Sequence, residues 1–426
     1  MNDETTVIRR MSFFERLMYV DGVTPVNCVI SARLYGVLSE ERLRNALDKV
    51  QAKHPMLRAT VIEENGVPYF AIRSRTTRIP LRTVRRSTED DWRKVMLDEW
   101  QTPFPVKQGP LVRLVWLRSD GISELMLVGH HCVCDGLSLV SILREILQLI
   151  DQPDVHLASY LPVHSVRDIV PKEILASRRK AILIKGKAAL FRLFAMTIKE
   201  KTTTPEGKHY LIYWKADASS TEALKQRCRV EQTTPYAALC VAFMQGFRQI
   251  MGTRFKNKVM CPVNIRRYIP SIHNDMMFNY APTIALRMDD RPNQRFWEVA
   301  RSLKEAMNRK IDNLDVYEHL LAAEELHASV PKLISLLRQS KGSYDCAFSN
   351  MGRIDIPKFY HSFTIDCFLG ITVALPWRNS TTLVTSHFDG KIDLSFIAND
   401  GFIPYAKAMA IKEVAIEILV GAIEHL

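Results

Sequence analysis

The feature that most limits what this chain can fold into is a seven-residue junction, HHCVCDG, at residues 130–136. An apolar run at 125–128 precedes it, and a strongly apolar helical pattern at 138–150 follows it. This order predicts a buried strand, a short loop and a helix. The junction places an imidazole, a carboxylate and a glycine within a few residues of one another. Such a grouping suits a reaction in which one imidazole takes a proton from a nucleophile.

The two histidines of the junction cannot easily share one task, because neighbouring side chains on an extended segment point to opposite sides. We expect one of His130 and His131 to face a cavity and the other to face the protein interior. Asp135 could orient a histidine, or it could hold the loop by pairing with an arginine elsewhere. Gly136 could adopt unusual backbone angles and leave its N–H open to a ligand.

Three other interpretations of the junction are weaker. Both histidines could be purely structural. The histidines with Cys132 and Cys134 could ligate a metal, but zinc sites usually combine two separated ligand pairs, and no CxxC or HExxH occurs here. Either cysteine could be a nucleophile, although a buried and inert thiol is the usual case. We therefore predict no metal site.

The junction is similar to the HHxxxDG signature of the superfamily of condensation domains, chloramphenicol acetyltransferase-like enzymes and CoA- or carrier-dependent alcohol acyltransferases. Weaker similarities to this superfamily follow in order along the chain: SFFER at 12–16, HPMLR at 54–58, GPLVR at 109–113, PVNIRR at 262–267, FNY at 278–280 and SNMG at 349–352. The overall match most resembles the stand-alone polyketide-associated acyltransferases that esterify lipid alcohols. The DFGWG motif of plant acyltransferases is absent.

The resemblance implies an acyltransferase in which His131 is the general base. His131 would remove a proton from an acceptor hydroxyl or amine as the acceptor attacks a thioester carbonyl, a task that an imidazole can perform at neutral pH. Asp135 would pair with Arg266, or failing that with Arg267, and would fix the loop rather than act as a relay. His130 completes the catalytic motif, with folding and loop order as its main contribution.

The resemblance also implies donors for the oxyanion that forms during transfer. The candidates are the N–H of Gly136 and the side chains of Ser349 or Asn350. No bound cofactor is required, because the acyl group would arrive on coenzyme A or on the phosphopantetheine of an acyl carrier protein. Two alternatives stay open: an amide-forming condensation enzyme, and a catalytically inactive binding protein of the same fold.

Length and periodicity predict an α/β fold in two parts. The chain has 426 residues, 47% of them hydrophobic and 24% charged, which is too long for one ordinary core and is typical of a globular protein. Strand and helix patterns mix in both halves. The resemblance implies two chloramphenicol acetyltransferase-like subdomains with a tunnel between them. We predict subdomains at 1–165 and 211–426, joined by a basic linker at 166–210.

Local signals predict where several elements begin. Ser39 and Ser138 are expected to be helix N-caps, and Thr234 followed by Pro235 should open another helix. The predicted strands lie at 111–117, 125–128, 259–263, 281–286 and 392–397. Two further helices are predicted at 297–311 and 411–423.

Residues 171–201 carry a net charge of +7, in a chain whose net charge is +12. Nine Lys or Arg residues oppose two Glu residues there, and Ile, Leu and Phe are interleaved. The segment could lie on an anionic membrane surface, meet an acidic carrier protein, or be a solvated helix over the domain joint. The chain shows no nucleic-acid-binding motif, so no nucleic-acid partner is predicted.

Cellular setting is inferred from what the sequence contains. No apolar run of about 18 residues appears, so no membrane-spanning helix is predicted. Eight cysteines without paired spacing favour a reducing, cytoplasmic setting, and the N-terminal residues lack the apolar core of a secretion signal. We expect a cytoplasmic monomer that either stays free or binds peripherally to a membrane.

Overall fold

The structure, a computed structural model, describes residues 6–74, 76–199, 206–289, 291 and 293–424. Its strands are β1 (Thr6–Arg10), β2 (Asn27–Gly36), β3 (Ala59–Glu64), β4 (Val67–Arg73), β5 (Leu81–Arg85), β6 (Val112–Ser119), β7 (Ile122–His130), β8 (His209–Lys215), β9 (Val259–Pro262), β10 (Thr283–Leu286), β11 (Cys346–Arg353), β12 (Phe363–Val373), β13 (Thr382–Phe388) and β14 (Lys391–Asn399). Its helices are α1 (Phe13–Tyr19), α2 (Glu40–Lys53), α3 (Asp91–Gln101), α4 (Gly136–Asp151), α5 (Lys172–Leu175), α6 (Arg178–Met196), α7 (Ala218–Val230), α8 (Pro235–Met251), α9 (Phe296–Asp312), α10 (Val316–Glu325), α11 (Val330–Gln339) and α12 (Tyr405–Glu424).

The strands form three sheets. A five-stranded sheet has the order β12-β2-β7-β6-β5, a six-stranded sheet has the order β10-β9-β11-β13-β14-β8, and β1, β4 and β3 form a small third sheet. Helices pack beside the two large sheets, so the predicted α/β class is confirmed.

One strand from the second half of the chain lies in the sheet of the first half. β12 pairs antiparallel with β2, with Phe363 opposite Gly36 and Val373 opposite Cys28. At Gly36 a side chain would meet the Ser362 carbonyl oxygen at 2.4 Å and φ is +133°, so only glycine fits this crossing. The two parts of the chain are therefore tied together by backbone hydrogen bonds. The predicted boundaries at 165 and 211 stay a prediction.

Most of the local predictions hold. Ser39 caps α2 by accepting the Arg42 N–H, and Thr234 caps α8 directly before Pro235. Each predicted strand overlaps an observed one. The last helix begins earlier than predicted, at Tyr405.

Two clusters of buried apolar side chains form the core, one around the five-stranded sheet and one around the six-stranded sheet. In the first cluster α4 buries one whole face. The side chains on that face are fully buried: Leu139, Ile142, Leu143, Ile146 and Leu147. Burying each such side chain contributes about 1.5–3 kcal/mol, so α4 is a rigid support for the loop that precedes it.

Among the described helices, none has both the length and the hydropathy that crossing a bilayer would require.

Candidate active site

The HHCVCDG junction lies at the end of β7, which runs between β2 and β6 in the five-stranded sheet. The His130 N–H still donates to the Leu111 carbonyl at 2.9 Å, and the His131 N–H donates to the Val26 carbonyl at 2.7 Å. The chain then turns, and α4 begins at residue 136. Backbone hydrogen bonds to neighbouring segments therefore fix both histidines at the start of the loop that leads to α4.

His131 is partly exposed, and its ring is oriented by the loop itself. Its Nδ1 lies 2.8 Å from the carbonyl oxygen of Cys134. A carbonyl can only accept, so Nδ1 carries a proton, and in the neutral ring the free lone pair is therefore on Nε2. The geometry thus gives His131 the tautomer that a general base needs.

His130 faces the opposite way and is only 2% exposed. Its Nδ1 accepts the Cys132 N–H at 3.2 Å, and the rings of Tyr19 and Phe104 lie around it. Burial, with smaller effects from His131 and Arg113, lowers the pKa of His130 to about 3. His130 is therefore neutral at physiological pH and packs as part of the core.

Asp135, rather than the predicted Ser138, is the N-cap of α4. Its Oδ1 accepts the Ser138 N–H at 2.8 Å and the Ser138 hydroxyl at 2.7 Å. The prediction of Ser138 as the cap was wrong because the helix begins three residues earlier, at Gly136. A carboxylate at this position also interacts favourably with the positive end of the helix dipole.

The same carboxylate forms a two-point ion pair with Arg266. The Arg266 guanidinium donates to Asp135 Oδ2 at 2.8 Å and to Oδ1 at 2.9 Å, and the Arg266 side chain is 2% exposed. Burial by itself would raise the pKa of Asp135, but the charge and hydrogen bonds of Arg266 and Ser138 lower it below the usual carboxyl range. Arg267 is exposed and donates to Tyr268 instead. Asp135 is thus occupied with Arg266 and Ser138, and Nδ1 of His131 is held by a backbone carbonyl.

A segment in the second half of the chain, at 278–279, contacts the loop that carries His131. The Asn279 amide donates to the carbonyl oxygen of His131. Arg266 donates to the Phe278 carbonyl at 2.9 Å, and the Phe278 N–H donates to the Ser138 hydroxyl at 3.3 Å. The FNY similarity at 278–280 pointed to this segment but not to these contacts.

We expect Asn279→Ala to loosen the loop that carries His131. Losing one hydrogen bond to a buried acceptor should lower the free energy of unfolding by about 1–3 kcal/mol and reduce turnover without a matching rise in KM. Asn274→Ala is a matched control, because Asn274 is an exposed asparagine of the same segment. If both variants behave alike in thermal unfolding and in kcat, the Asn279 contact has no special role.

The three candidate oxyanion donors differ in position. Gly136 is the first residue of α4, where backbone N–H groups have no partner within the helix. Its φ is not in the left-handed region, so the expected unusual backbone is not found. A side chain there would instead meet the Met351 methyl at 3.0 Å, which shows that β11 lies against this turn.

The position of Met351 separates the other two candidates. Ser349 is two residues away on β11 and lies on the same face, with its hydroxyl 4.0 Å from the Met351 sulfur. Asn350 points to the other face, is exposed, and accepts the Gly352 N–H at 3.0 Å. Ser349 is therefore on the side of the strand that faces the α4 turn.

A second ionic cluster contacts α4 at Glu145, about two and a half turns after the helix begins. Glu145 of α4 accepts from Lys53 at 2.7 Å and lies 2.8 Å from the ring of His54. Lys53 also pairs with Asp275 at 2.7 Å. This places the histidine of the HPMLR segment, at 54–58, in a supporting position and gives α4 another link to the second half of the chain.

The two cysteines of the junction lack the environment of a nucleophilic thiol. Cys132 and Cys134 are fully buried, and burial raises the pKa of the Cys132 thiol well above its usual value. Hydrogen bonding with Cys28, together with burial, does the same for Cys134. Both thiols are thus protonated and poor nucleophiles. Within the described residues, no group of three or more His, Cys, Asp or Glu side chains is arranged to hold a metal ion.

One family model matches part of the chain, and curated relatives align with about 70% of it. The condensation-domain family model matches residues 8–168. The chain is 25% identical over 307 residues to cyclosporin synthetase simA of Tolypocladium inflatum and 23% identical over 328 residues to phosphinothricin tripeptide synthetase PhsC of Streptomyces viridochromogenes. These alignments cover 69% and 72% of this chain but only 2% and 30% of the two synthetases.

Solved structures show the same fold over nearly the whole chain. The first condensation domain of the CDA synthetase has a TM-score of 0.75 at 15% identity, with 98% of this chain and 96% of that chain covered. A trichothecene 15-O-acetyltransferase from Fusarium sporotrichioides has a TM-score of 0.73 at 11% identity, with the same coverage. Polyketide synthase associated protein 5 from Mycobacterium tuberculosis has a TM-score of 0.69 at 14% identity, with 97% and 98% covered.

The family model and the solved structures point to one fold. The fold is that of condensation domains and chloramphenicol acetyltransferase-like proteins, and the resemblance to that superfamily is confirmed. The chain is similar in sequence to peptide synthetases and similar in fold to an O-acetyltransferase.

Proposed function

We propose that this protein transfers an acyl group from a thioester to a hydroxyl acceptor, with His131 as the general base. The observation that carries the proposal is the hydrogen bond from Nδ1 of His131 to the Cys134 carbonyl, because in the neutral, partly exposed ring it puts the free lone pair on Nε2. The neighbouring ion pair and the Asn279 contact hold that ring's backbone in place.

Each step of the transfer uses groups of this chain. Nε2 of His131 accepts the proton of the acceptor hydroxyl while the hydroxyl oxygen attacks the thioester carbonyl carbon. The carbonyl oxygen takes the negative charge of the tetrahedral intermediate. When the intermediate collapses, the C–S bond breaks, an ester is left, and the departing sulfur takes the proton from Nε2.

The oxyanion needs donors that are already oriented. We assign this role to the N–H of Gly136, which lies at the positive end of the α4 dipole, and to the Ser349 hydroxyl. Asn350 is a weaker candidate because its side chain faces away from Gly136 and accepts a hydrogen bond from the Gly352 N–H.

The donor in this proposal is an acyl chain on coenzyme A or on a carrier-protein phosphopantetheine. A second candidate is amide formation with an amine acceptor, favoured by the identity of 23–25% to two peptide synthetases. The similarity in fold to a 15-O-acetyltransferase favours the ester.

The test is a screen of acyl-CoA chain lengths, and of acyl-carrier proteins, against simple alcohols and amines, with thiol release as the readout. We expect thiol release that depends on an alcohol and yields an ester. Faster turnover with amines would replace the proposal by amide formation. No acceptor-dependent thiol release from either donor class would favour a binding protein of the same fold.

A further inference from the structure

Most of the basic segment at 171–201 forms α6, which has an inner and an outer face; residues 200 and 201 lie outside the described residues. Its inner face packs on α10 and buries Ile184, Ala188 and Ala195. Three cations on the same side reach acids of α10 or of its N-terminal cap. These pairs are Lys180 with Asp315 at 2.7 Å, Arg192 with Glu325 at 3.4 Å, and Lys187 with Glu318. The helix is therefore docked on the protein and has a defined orientation.

The outer face of α6 is apolar and exposed. Helical spacing puts Leu183, Leu190 and Phe194 in one stripe, at i, i+7 and i+11, about 120° around the helix from the buried residues, and puts Ile182 and Leu193 beside this stripe, opposite the buried face. The large apolar side chains that are at least half exposed on this helix are Ile182, Leu183, Leu190, Leu193, Phe194 and Met196. Leu190 and Met196 are 71% and 72% exposed. Contiguous exposed apolar surface of this kind marks an interaction site.

The charge of α6 is of one sign. The helix has six Lys or Arg residues and no Asp or Glu. Three of the six are used in the pairs with α10. The other three, Arg178, Arg179 and Lys185, are exposed, and the ion pairs found among the described residues do not include them.

We propose that the outer face of α6 binds the surface of an anionic lipid bilayer, with the helix lying in the plane of the interface. A helix of 19 residues extends about 28 Å along that plane. The apolar stripe would enter the boundary between headgroups and acyl chains. Arg178, Arg179 and Lys185 would contact the phosphates.

Other occupants fit this face less well. A second copy of the chain would bring α6 against α6 and oppose cations with cations, because the helix has no acid. An acidic carrier protein would satisfy the three cations but would need a groove along the whole apolar stripe. A fluid lipid surface satisfies the cations and the apolar side chains without a shape match.

The experiment is co-sedimentation of the full chain with vesicles of phosphatidylcholine alone or mixed with phosphatidylglycerol. We expect binding to the anionic vesicles that weakens as salt rises from low to physiological concentration. The double change Leu190→Ser and Leu193→Ser should weaken binding by at least about tenfold, because two side chains lose apolar burial. The double change Arg178→Glu and Arg179→Glu should weaken it by at least about tenfold at low salt.

Two control variants carry the same kinds of substitution as the test variants, apolar to Ser and basic to Glu, at exposed sites outside α6. Val37→Ser with Val230→Ser matches the apolar change, and Lys391→Glu with Lys407→Glu matches the change in charge. Both controls should bind vesicles as the unmodified protein does, and all variants should unfold at similar temperatures. Absence of vesicle binding at low salt overturns the proposal, as does equal weakening by a control pair. Binding to an acyl carrier protein or self-association without vesicle binding also overturns it.

Discussion

Replacing His131 with alanine should lower turnover by about 10²–10⁴-fold, which is the usual contribution of a general base. The proposed role gives the reason, since the Cys134 carbonyl holds a proton on Nδ1 and Nε2 would then accept the proton of the acceptor. The measurement is thiol release from the acyl donor that the screen identifies. Folding should be little affected, because the ring is partly exposed.

His130 provides the matched control for that experiment. Because His130 is buried and neutral, His130→Ala should lower the unfolding temperature far more than His131→Ala does. Any loss of turnover in the His130 variant should follow from disorder of the loop. A His131 variant whose turnover stays within a few-fold of the unmodified protein would remove this residue from the mechanism.

Replacing Asp135 with alanine should lower the free energy of unfolding by about 3–5 kcal/mol, because it leaves Arg266 charged, buried and unpaired. The N-cap of α4 would be lost as well, at a cost of about 0.5–2 kcal/mol. Turnover should fall together with stability, since the same carboxylate fixes the loop of His131. Chemical denaturation and steady-state kinetics measure the two effects.

Two further variants separate the ion pair from the cap. Asp135→Asn keeps a side chain that can cap the helix but removes the charge. The difference in unfolding free energy between Asp135→Asn and Asp135→Ala therefore measures the contribution of the cap. Adding Arg266→Met to Asp135→Ala should recover part of the lost stability, because no unpaired charge is then buried. Loss of turnover in the Asn variant at an unchanged unfolding temperature would instead show that Asp135 takes part directly in the chemistry.

The Asp135–Arg266 ion pair should make the folding stability of the protein depend on pH. The pKa of Asp135 is lower in the folded protein than in an unfolded chain, so the folded state binds fewer protons at this site. The stability that ionised Asp135 supplies is fully present at pH values above the pKa of an ordinary carboxyl group. It is lost as the pH falls through the lower pKa that Asp135 has in the folded protein. The stability difference between the unmodified protein and Asp135→Asn should therefore shrink on acidification.

The sequence alone predicted the local features of the site. The alternation between an apolar strand and an apolar helix placed the junction at 130–136, because periodicity depends only on neighbouring residues. The opposite orientation of His130 and His131 follows from the pleat of an extended chain. Cap signals located the starts of α2 and α8 for the same reason.

The N-cap of α4 could not be predicted from the local sequence. Ser138 and Asp135 are both good cap residues, and the sequence does not say which one begins the helix. The choice of Asp135 depends on Arg266, which lies 131 positions away and pairs with that carboxylate. A similar argument applies to Ser349 and Asn350, since only the packing of Met351 against Gly136 shows which face of β11 meets the turn.

What the sequence by itself determined is the set of groups and the elements that carry them: His131, Asp135, Gly136 and the basic segment at 171–201. Only the tertiary structure decided how they are held. It joined β12 to β2, set Asn279 on the His131 carbonyl and turned three cations of α6 toward α10. These contacts depend on which distant segments can be buried together, and that is a property of the whole packed chain rather than of any window of its sequence.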